Sequence, residues 1–430
     1  MIARERRERI DIMDFGFSPA SLALQARVHD FMQRLVLPSN GDWHRYADEG
    51  VYPLDVIDPI KAQAKAAGLW NLFLPALRDD EPGTRLANLD YAPLAEIMGR
   101  IPWAAEVFNC NAPDTGNMEL LHRFATPEQA ARWLRPLLEG EIRSCFAMSE
   151  PDVASSDATN LQTRIVRDGG DLVVNGRKWF ITGAAHPRCE LAIVVGASGG
   201  APDADAHHRH SMLLVPMDTP GLEVVRNIPV VQHRAVEGHC EIVFRNVRVP
   251  ASNLLGEEGA GFAMAQARLG PGRVHHCMRS IGQCELALEL LCDRALERKA
   301  FGSALAGFAN LREWIAHSRI EIDQARLLVL RAAWLMDTQG NAAARAEVSA
   351  IKVVAAQLQT RVLDRAMQVF GAMGLSGDTP LAYLWTWGRA MRLLDGPDEV
   401  HLGVVARSEL ARARERRGMS ADYLVAPRRG

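Results

Sequence analysis

Sequence typical of β-strands is confined to the middle third of this chain, and helical sequence lies on both sides of it. Between about Ile142 and Pro250, short runs of apolar and β-branched residues alternate with glycine and proline, a pattern that indicates strands and turns. Most connecting segments are too short for crossover helices, so we predict a small antiparallel sandwich or barrel. The clearest runs are 172–174, 179–182, 191–195, 212–215 and 241–244.

Apolar residues recur at helical spacing from about Pro19 to Gly140 and again after Gly261. The second stretch predicts four long helices, at about 262–300, 308–338, 342–371 and 398–416, which together suggest a bundle. The first of them could break at Gly270-Pro271-Gly272. The predicted fold class is therefore α+β. We divide the chain into a polar leader (1–18), an N-terminal helical domain (19–140), a middle β domain (141–252) and a C-terminal helical bundle (253–430), with a ligand cleft where domains meet.

Composition narrows the range of partners. The chain has 430 residues, 48% of them hydrophobic, and a net charge of -3, which argues against a nucleic-acid surface. Seven cysteines without a CxxC pair indicate neither a disulfide framework nor a zinc site, and they suit a reducing compartment. No run is long enough to span a membrane. The opening residues lack a clear targeting signal, so we expect a cytoplasmic protein if it is bacterial, and a matrix or peroxisomal one if it is eukaryotic.

Histidine clusters give no metal prediction. His207, His208 and His210 fall in a polar loop, which favours a solvated insert over a metal site. His275 and His276 are expected to line or pack the bundle.

The first candidate motif joins a strand ending in Ser-Glu-Pro to a later Trp-x-x-Thr strand. Its segments are Cys145-Phe-Ala-Met-Ser-Glu-Pro151 and Asn175-Gly-Arg-Lys-Trp-Phe-Ile-Thr-Gly183. Taken alone, this is most simply a strand, a polar turn and a hairpin strand. In this order and spacing the pair resembles the first signature of the acyl-CoA dehydrogenase family, in which the two segments form one wall of a flavin site.

Further motifs resemble the same family. Glu297-Arg-Lys-Ala-Phe-Gly302 matches its Glu-Arg-x-x-Phe-Gly segment, and Gln368-Val-Phe-Gly-Ala-Met-Gly374 resembles its second signature. About twenty residues on, Asp395-Gly396 stands where most members carry Glu-Gly-Thr; alone it would be only a turn before a helix. The resemblance covers about residues 19–415. It is closest to the branch containing family members ten and eleven, through the segments 111–117, 150–160 and 395–401.

The resemblance implies FAD as the cofactor. Neutral donors suit the flavin ring, and a guanidinium suits the pyrophosphate, which Arg298 would reach across a dimer interface. The family's His-Gln pair is replaced here by Phe308-Ala309-Asn310, and one signature glycine by Ala372. A homodimer or a dimer of dimers is implied. The implied FAD contacts are Phe146, Met148, Ser149, Trp179, Phe180, Thr182, Arg298, Phe301, Gln368, Gly371, Ala372, Pro397 and Glu399.

The same resemblance implies that Asp395 removes the α-proton of an acyl-CoA while flavin N5 takes the β-hydride. The family's second location for this base falls at Gly272, which cannot accept a proton, so Asp395 is the only base that a motif supports. We expect a dry pocket to raise the pKa of Asp395 toward the operating range. The implied substrate contacts are Ser156, Arg273 and Gly396, and the implied electron acceptor is an electron-transferring flavoprotein.

Two alternatives stay open. A nitroalkane-oxidase-like flavoprotein is one, since that relative also uses aspartate to deprotonate a carbon acid. A largely noncatalytic acyl-CoA-binding subunit of a heteromer is the other, because the altered positions at Ala372 and Phe308-Ala309-Asn310 could accommodate it.

Overall fold

The N-terminal part of the chain is helical, as predicted. The structure is a computed structural model that describes residues 16–199, 206–416 and 423, so most of the predicted leader lies outside the described residues. Ser18 caps the first helix, where its Oγ accepts a hydrogen bond from Ser21 N at 3.1 Å. The helices are α1 Pro19–Phe31, α2 Asn40–Asp48, α3 Leu54–Ala66, α4 Asn88–Gly99, α5 Ala104–Val107, α6 Asp114–Phe124, α7 Pro127–Gln129 and α8 Arg135–Glu139.

The middle part forms an eight-stranded sheet with the order β6-β7-β3-β2-β4-β5-β8, and β1 pairs with β4. The sheet is mixed rather than purely antiparallel, because β1 runs parallel to β4. The chain enters β1 from α8 and not through a hairpin, so no tight turn fixes its direction. The strands are β1 Arg143–Ala147, β2 Arg164–Asp168, β3 Asp171–Thr182, β4 Cys189–Ala197, β5 His210–Pro216, β6 Leu222–Asn227, β7 His239–Pro250 and β8 Leu254–Leu255.

The C-terminal part contains the four predicted long helices, each within about three residues of the expected bounds. The expected break at Gly270-Pro271-Gly272 is wrong, because the first helix is continuous through it. A shorter helix, α12, was not predicted. The helices are α9 Gly261–Glu297, α10 Ala309–Gln339, α11 Arg345–Phe370, α12 Leu381–Met391 and α13 Asp398–Glu415, with a small hairpin of β9 Lys299–Ala300 and β10 Ser303–Ala304 after α9.

The described residues form two hydrophobic cores. One contains helices from both ends of the chain, and the other belongs to the sheet. Successive residues of a strand point to opposite faces, so in β4 Ile193 packs in the helical core while Ala192 and Val194 pack in the sheet core. The sheet is thus packed on the helices along one face, which brings its strand ends next to the bundle.

Close contact between α4 and α9 fixes the first helix of the bundle. A Cβ atom at Gly282 would lie 1.9 Å from Glu96 O, and one at Gly99 would lie 2.3 Å from Arg279 O. Only glycine allows the two backbones to approach this closely. The position of α9, which carries most of the side chains around the candidate base, is therefore set by α4.

Three further features of the described residues concern membrane-spanning helices, cysteines and the histidines near β5. Within the described residues, no helix is long and apolar enough to cross a membrane, and the seven cysteines are all free. His210 is buried on β5, with Nε2 3.3 Å from Leu161 O, so the prediction of a solvated position is wrong for this histidine.

Candidate active site

The candidate base lies in a tight loop between α12 and α13. Asp395 has φ +53° and Gly396 has φ +101°; aspartate tolerates this left-handed region better than most residues, and glycine adopts it without strain. Pro397 is the N-cap of α13, and Asp398 N donates to Arg392 O at 3.1 Å. The buried carboxylate of Asp398 also accepts a hydrogen bond from Arg392 Nε at 2.8 Å. The Asp-Gly-Pro-Asp sequence therefore fixes the position of the loop.

Two helices hold the backbone carbonyl of Asp395. Arg273 Nε donates to it from α9 at 2.9 Å, and His401 Nε2 lies 3.2 Å from it on α13. A Cβ atom at Gly396 would lie 2.9 Å from the same His401 nitrogen, so a larger residue would displace this contact. Because Arg273 follows Gly272, the two positions at which the resemblance predicts a base meet here. Only Asp395 supplies a carboxylate.

The Asp395 carboxylate contacts a histidine that was expected only to line or pack the bundle. Oδ2 of Asp395 lies 3.4 Å from Nε2 of His276 on α9, and each side chain is 24% exposed. No other described side chain makes an ion pair with this carboxylate. The Asp395 side chain is therefore half-buried, with His276 as its one ion-pair-distance neighbour among the described residues.

Positive charge around Asp395 keeps it ionised. Burial alone would raise the pKa of Asp395, but the contact with His276 and the charges of Arg268 and Lys352 outweigh burial and lower it below the usual range. The expected upward shift is therefore wrong for the protein without substrate. Lys352 is fully buried on α11, where its Nζ donates to Met391 O and burial lowers the pKa of the amine.

Arg268 connects the base with the sheet. Its Nε donates to Asn117 Oδ1 at 2.9 Å and its Nη2 to Pro113 O at 3.3 Å. The guanidinium carbon lies 4.0 Å from the ring centre of Phe146. Burial lowers the pKa of Arg268, and the charge of Asp395 acts in the opposite direction. Phe146, at the end of β1, is thus adjacent to a cation that influences the base.

A buried ion pair joins the two segments of the first motif. Lys178 Nζ donates to Glu150 Oε1 at 2.8 Å and to Met148 O at 2.7 Å. Burial lowers the pKa of Lys178 to about 8, against the effect of Glu150. Trp179 N donates to Ser149 O at 3.0 Å. These contacts bring Met148, Ser149 and Trp179 into one wall, which we call the sheet wall together with Phe146, Phe180 and Thr182.

The end of the sheet wall is polar and neutral. Thr182 Oγ1 lies 3.0 Å from Nδ1 of His239 on β7, and burial lowers the pKa of His239 to about 4. The His239 ring packs 5.0 Å from the ring of Trp387 on α12. Buried His239 Nε2 and Trp387 Nε1 have no hydrogen-bond partner in the described part of the chain. Phe180 lies beside Trp179 with φ +50° and an exposed ring.

The turn after the first strand leaves hydroxyl groups open. Glu150 N donates to Ser155 Oγ at 2.8 Å, which holds the start of the turn, and Asp157 Oδ1 accepts from Thr159 N at 3.1 Å near its end. Ser156 is exposed between them. Neither it nor Ser149 makes a side-chain hydrogen bond to a described residue, so both hydroxyls are available to a ligand.

Five of the predicted cofactor contacts lie together at one end of the bundle. The guanidinium of Arg294 lies 5.4 Å from the ring centre of Phe370, which joins the end of α9 to the end of α11. We call the two adjoining segments, 296–302 and 368–375, the bundle end. It contains the predicted residues Arg298, Phe301, Gln368, Gly371 and Ala372, all of them exposed.

The bundle end is far from the base of its own chain. Arg273 and Glu297 lie on one continuous helix, so at 1.5 Å per residue they are about 36 Å apart. The Phe301 ring is 98% exposed, and Leu296 and Leu375 are 68% and 72% exposed. Exposed apolar groups of this kind commonly mark a surface that a partner covers. The structure thus brings Asp395 and Arg273 together and connects them with the sheet wall through Arg268. Arg298 and its neighbours lie apart from them.

The residues present fit FAD. The sheet wall offers the open hydroxyl of Ser149 and lies near the unpaired N–H of Trp387, which are neutral donors for a flavin ring. The guanidinium of Arg298 makes no ion pair within the described residues, as suits a pyrophosphate ligand. The loop 392–397 between α12 and α13 carries Asp395, and we call it the base loop. Pro397 and Glu399 flank the buried Asp398 where this loop meets α13, and Glu399 is exposed.

Three side chains around Asp395 were not predicted as site residues: Arg268, His276 and Lys352. Arg268 and His276 are eight residues apart and share a helix face with Gly272, so helical spacing was a usable signal. Lys352 interrupts the apolar face of α11, and a lysine in such a position is seldom fully buried without a partner. These signals were visible, but they did not show that the side chains converge on Asp395.

The α–β–α fold and a carboxylate loop beside a sheet wall suited to FAD define a flavoprotein dehydrogenase. Models for the N-terminal, middle and C-terminal domains of acyl-CoA dehydrogenases match residues 18–141, 145–247 and 259–410. The chain belongs to the acyl-CoA dehydrogenase family. It is an oxidoreductase of a family of FAD-binding flavoproteins that act on acyl-CoA in fatty acid metabolism.

Similar proteins agree with the predicted branch. Probable acyl-CoA dehydrogenase FadE2 of Mycobacterium tuberculosis is 54% identical over 93% of this chain and 98% of that protein. Acyl-CoA dehydrogenase family member 10 of Mus musculus is 50% identical over 92% of this chain, and family member 11 of Rattus norvegicus is 49% identical over 92%. The chain spans only 37% and 51% of the lengths of these two animal proteins.

Solved structures share the fold. An acyl-CoA dehydrogenase structure from Mycobacterium abscessus is 51% identical, with a TM-score of 0.88 over 93% of this chain and 100% of that chain. Butyryl-CoA dehydrogenase from Megasphaera elsdenii is 25% identical, with a TM-score of 0.79 and the same coverage. The prediction of a three-domain acyl-CoA dehydrogenase fold is confirmed.

Proposed function

We propose that this enzyme oxidises an acyl-CoA thioester to the 2-enoyl-CoA, with Asp395 as the base. The observation that carries the proposal is the hydrogen bond of 2.9 Å between Arg273 Nε and Asp395 O. It brings together the two positions at which the family can carry a base, and glycine occupies one of them. The nearby sheet wall is suited to a flavin, so base and cofactor would face one substrate.

The base chemistry follows from the state of Asp395. The lowered pKa keeps its carboxylate ionised in the free enzyme, and a bound thioester would exclude water and move that pKa upward. The proton of the α C–H bond passes to a carboxylate oxygen, and its electron pair forms the Cα=Cβ bond as hydride leaves the β-carbon. FAD supplies the hydride acceptor when it is bound.

Backbone donors near the base would stabilise the developing enolate oxygen. The N–H groups of Asp395 and Gly396 donate to no other described residue, and they lie in the loop that carries the carboxylate. An oriented donor of this kind can lower a barrier by about 3 kcal/mol. Ser156 on its exposed turn and Arg273 on α9 are the proposed side-chain contacts to the acyl-CoA.

The cofactor site would be shared between two chains. Phe146, Met148, Ser149, Trp179, Phe180 and Thr182 would hold the flavin on the chain that supplies Asp395, with Pro397 and Glu399 beside it. Arg298, Phe301, Gln368, Gly371 and Ala372 would serve the FAD of the partner, as their distance from their own base supports. A homodimer, alone or paired into a tetramer, is the smallest assembly that completes both sites.

Electrons would leave the reduced cofactor to an electron-transferring flavoprotein, as the family resemblance implies. The seven free cysteines suit a reducing compartment. This would be the cytoplasm of a bacterium, or the matrix or peroxisome of a eukaryotic cell.

Anaerobic titration of the FAD-loaded protein with a panel of acyl-CoAs tests the proposal. The panel would vary chain length, branching and hydroxylation, and loss of the yellow flavin absorbance would report reduction. We expect at least one acyl-CoA to bleach the flavin and a purified electron-transferring flavoprotein to restore the colour. Peroxide formed from a nitroalkane, without bleaching by any acyl-CoA, would support the nitroalkane-oxidase-like alternative. Failure to retain FAD would support the noncatalytic one.

A further inference from the structure

Two polar side chains on α9, Arg279 and His276, contact each other in a row that ends at the proposed base. His276 Nε2 lies 3.4 Å from Asp395 Oδ2, and His276 Nδ1 lies 3.2 Å from Arg279 Nη2. His276 and Arg279 are three residues apart, so they share one helix face. Arg279 is itself held in place, because its Nη1 donates to Cys110 O at 3.3 Å and its backbone packs against Gly99.

The contact with Arg279 determines which nitrogen of the His276 imidazole carries the proton. A guanidinium has only donors, so Nδ1 of His276 must accept the hydrogen bond from Arg279. The ring proton then resides on Nε2 and faces Asp395. Burial lowers the pKa of His276, and the interaction with Asp395 opposes that effect without cancelling it. His276 is thus a neutral donor in a single tautomer.

Different residues hold the backbone of Asp395 and contact its carboxylate. The backbone of Asp395 is held through its carbonyl by Arg273 and His401, but these contacts leave rotation about the side-chain bonds free. Among the described residues, no side chain other than His276 lies within ion-pair or hydrogen-bond distance of the carboxylate. Aspartate is one methylene shorter than the glutamate that most family members carry. It has fewer rotatable bonds with which to bring its carboxylate back to the substrate after a rotation.

We propose that His276, oriented by Arg279, is a positioning residue that holds Asp395 in the rotamer from which it removes the α-proton. The inference rests on the proposed function. The His276 contact is made to Oδ2, and Oδ1 would take the proton of the substrate. If His276 served only to pack the bundle, its replacement would change neither the orientation nor the pKa of Asp395.

The charged and titratable groups around the base determine how pH enters the test. They are His276, Arg268, Arg273 and Cys277 on α9, Lys352 on α11 and His401 on α13. His276, Arg268 and Lys352 each lower the pKa of Asp395. Loss of the His276 donor therefore raises that pKa, and activity at the acid side of the profile falls at a higher pH.

Two substitutions separate positioning from packing. His276→Leu removes the hydrogen-bond donor and keeps a side chain of similar size. His276→Gln keeps a donor, because its side-chain amide N–H can point toward Asp395. With the best acyl-CoA, we expect His276→Leu to lower kcat by about 10- to 100-fold with a smaller change in KM. In His276→Leu the acidic limb of the pH profile of kcat/KM should also move to higher pH. In His276→Gln both kcat and the position of this limb should be close to the wild-type values. Equal losses in the two variants, or an unchanged kcat and pH profile in His276→Leu, would overturn the proposal.

A spectroscopic measurement requires no turnover. Long-range proton–nitrogen NMR spectra of the FAD-loaded protein, labelled with nitrogen-15 in histidine, distinguish the two neutral tautomers and the cation. The signal of His276 is the one that disappears in His276→Gln. We expect the Nε2–H tautomer between pH 6 and 8 in the wild type, and a mixture of tautomers in Arg279→Met. A cationic or Nδ1–H ring in the wild type would contradict the inference.

The two failures can be told apart. If no acyl-CoA bleaches the wild-type flavin, the proposed function fails, whatever the tautomer of His276. If acyl-CoA bleaches the wild type and His276→Leu at the same rate and with the same pH profile, only the positioning role fails. Flavin content and thermal melting of each variant verify that it is folded before either comparison.

Discussion

The base loop and the bundle end carry the two halves of the predicted site. They differ in how many of their polar and apolar groups find partners within one chain. Around Asp395 the backbone carbonyl has donors from two helices, and the carboxylate has a neighbour in His276. At the bundle end, Arg298 makes no ion pair among the described residues, and the Phe301 ring is 98% exposed. The first region is organised within the chain, whereas the second is suited to contacts that the chain alone does not provide.

This difference indicates which properties depend on assembly. Proton abstraction should depend on residues of one chain, since Asp395 and its neighbours contact one another directly. Retention of FAD should depend on two chains, since the bundle end lies about 36 Å along α9 from the base loop. Variants in the two regions should therefore fail in different ways.

The largest effect is expected at the base. Asp395→Asn removes the proton acceptor but keeps the shape of the side chain, so the rate of flavin bleaching by acyl-CoA should fall by about 10³-fold or more. FAD content should stay at the wild-type level, because the bundle end is unchanged. Stopped-flow absorbance under anaerobic conditions measures the rate. Bleaching at a rate near that of the wild type would remove Asp395 as the base.

A second variant tests the bundle end. Arg298→Ala removes a charged donor from the proposed pyrophosphate contact, and the loss of about 1.5 to 3 kcal/mol should weaken FAD binding by about 10- to 100-fold. Fluorescence titration of the apoprotein with FAD measures this affinity, and Arg298→Lys should lie between the two. The bleaching rate at saturating FAD should change little. Unchanged FAD affinity in Arg298→Ala would exclude this residue from the site.

The sequence predicted these two regions more reliably than it predicted the contacts within them. Helical and strand periodicity indicated the fold class, and three motifs identified the segments around Asp395, Trp179 and Arg298. Periodicity does not report which elements meet, so the parallel pairing of β1 with β4 was not anticipated. The Gly-Pro-Gly segment of α9 indicated a break, but a helix packed along most of its length can continue through such residues.

The electrostatics of the base could not be obtained from the motif. Burial alone predicted a raised pKa for Asp395, which is the correct sign for that single effect. The opposite net direction comes from His276, Arg268 and Lys352, which lie 119, 127 and 43 residues away in the sequence. Only the packing of α9 and α11 around the loop places them there.

Mixing two defective chains tests whether the two regions belong to different subunits. In a dimer of Asp395→Asn with Arg298→Ala, one site would combine an intact base from one chain with an intact arginine from the other. Random pairing of equal amounts should restore about a quarter of the wild-type sites at limiting FAD. Each variant alone should stay near background. Activity that does not rise after denaturation and refolding of the mixture would mean that each chain supplies both contacts itself.

The smallest expected effect concerns the pH dependence of the base. Lys352→Met removes a buried cation that lowers the pKa of Asp395, so that pKa should rise and the acidic limb of kcat/KM should move to higher pH. The loss should be less than about tenfold at the acid end and should vanish near pH 8, where the carboxylate is ionised in both proteins. Arg298→Ala at saturating FAD serves as the matched control and should leave the limb in place, because its charge is remote from the base. A limb that moves in Arg298→Ala, or that stays fixed in Lys352→Met, would show that the charge near the base is not set by the local packing of α9 and α11.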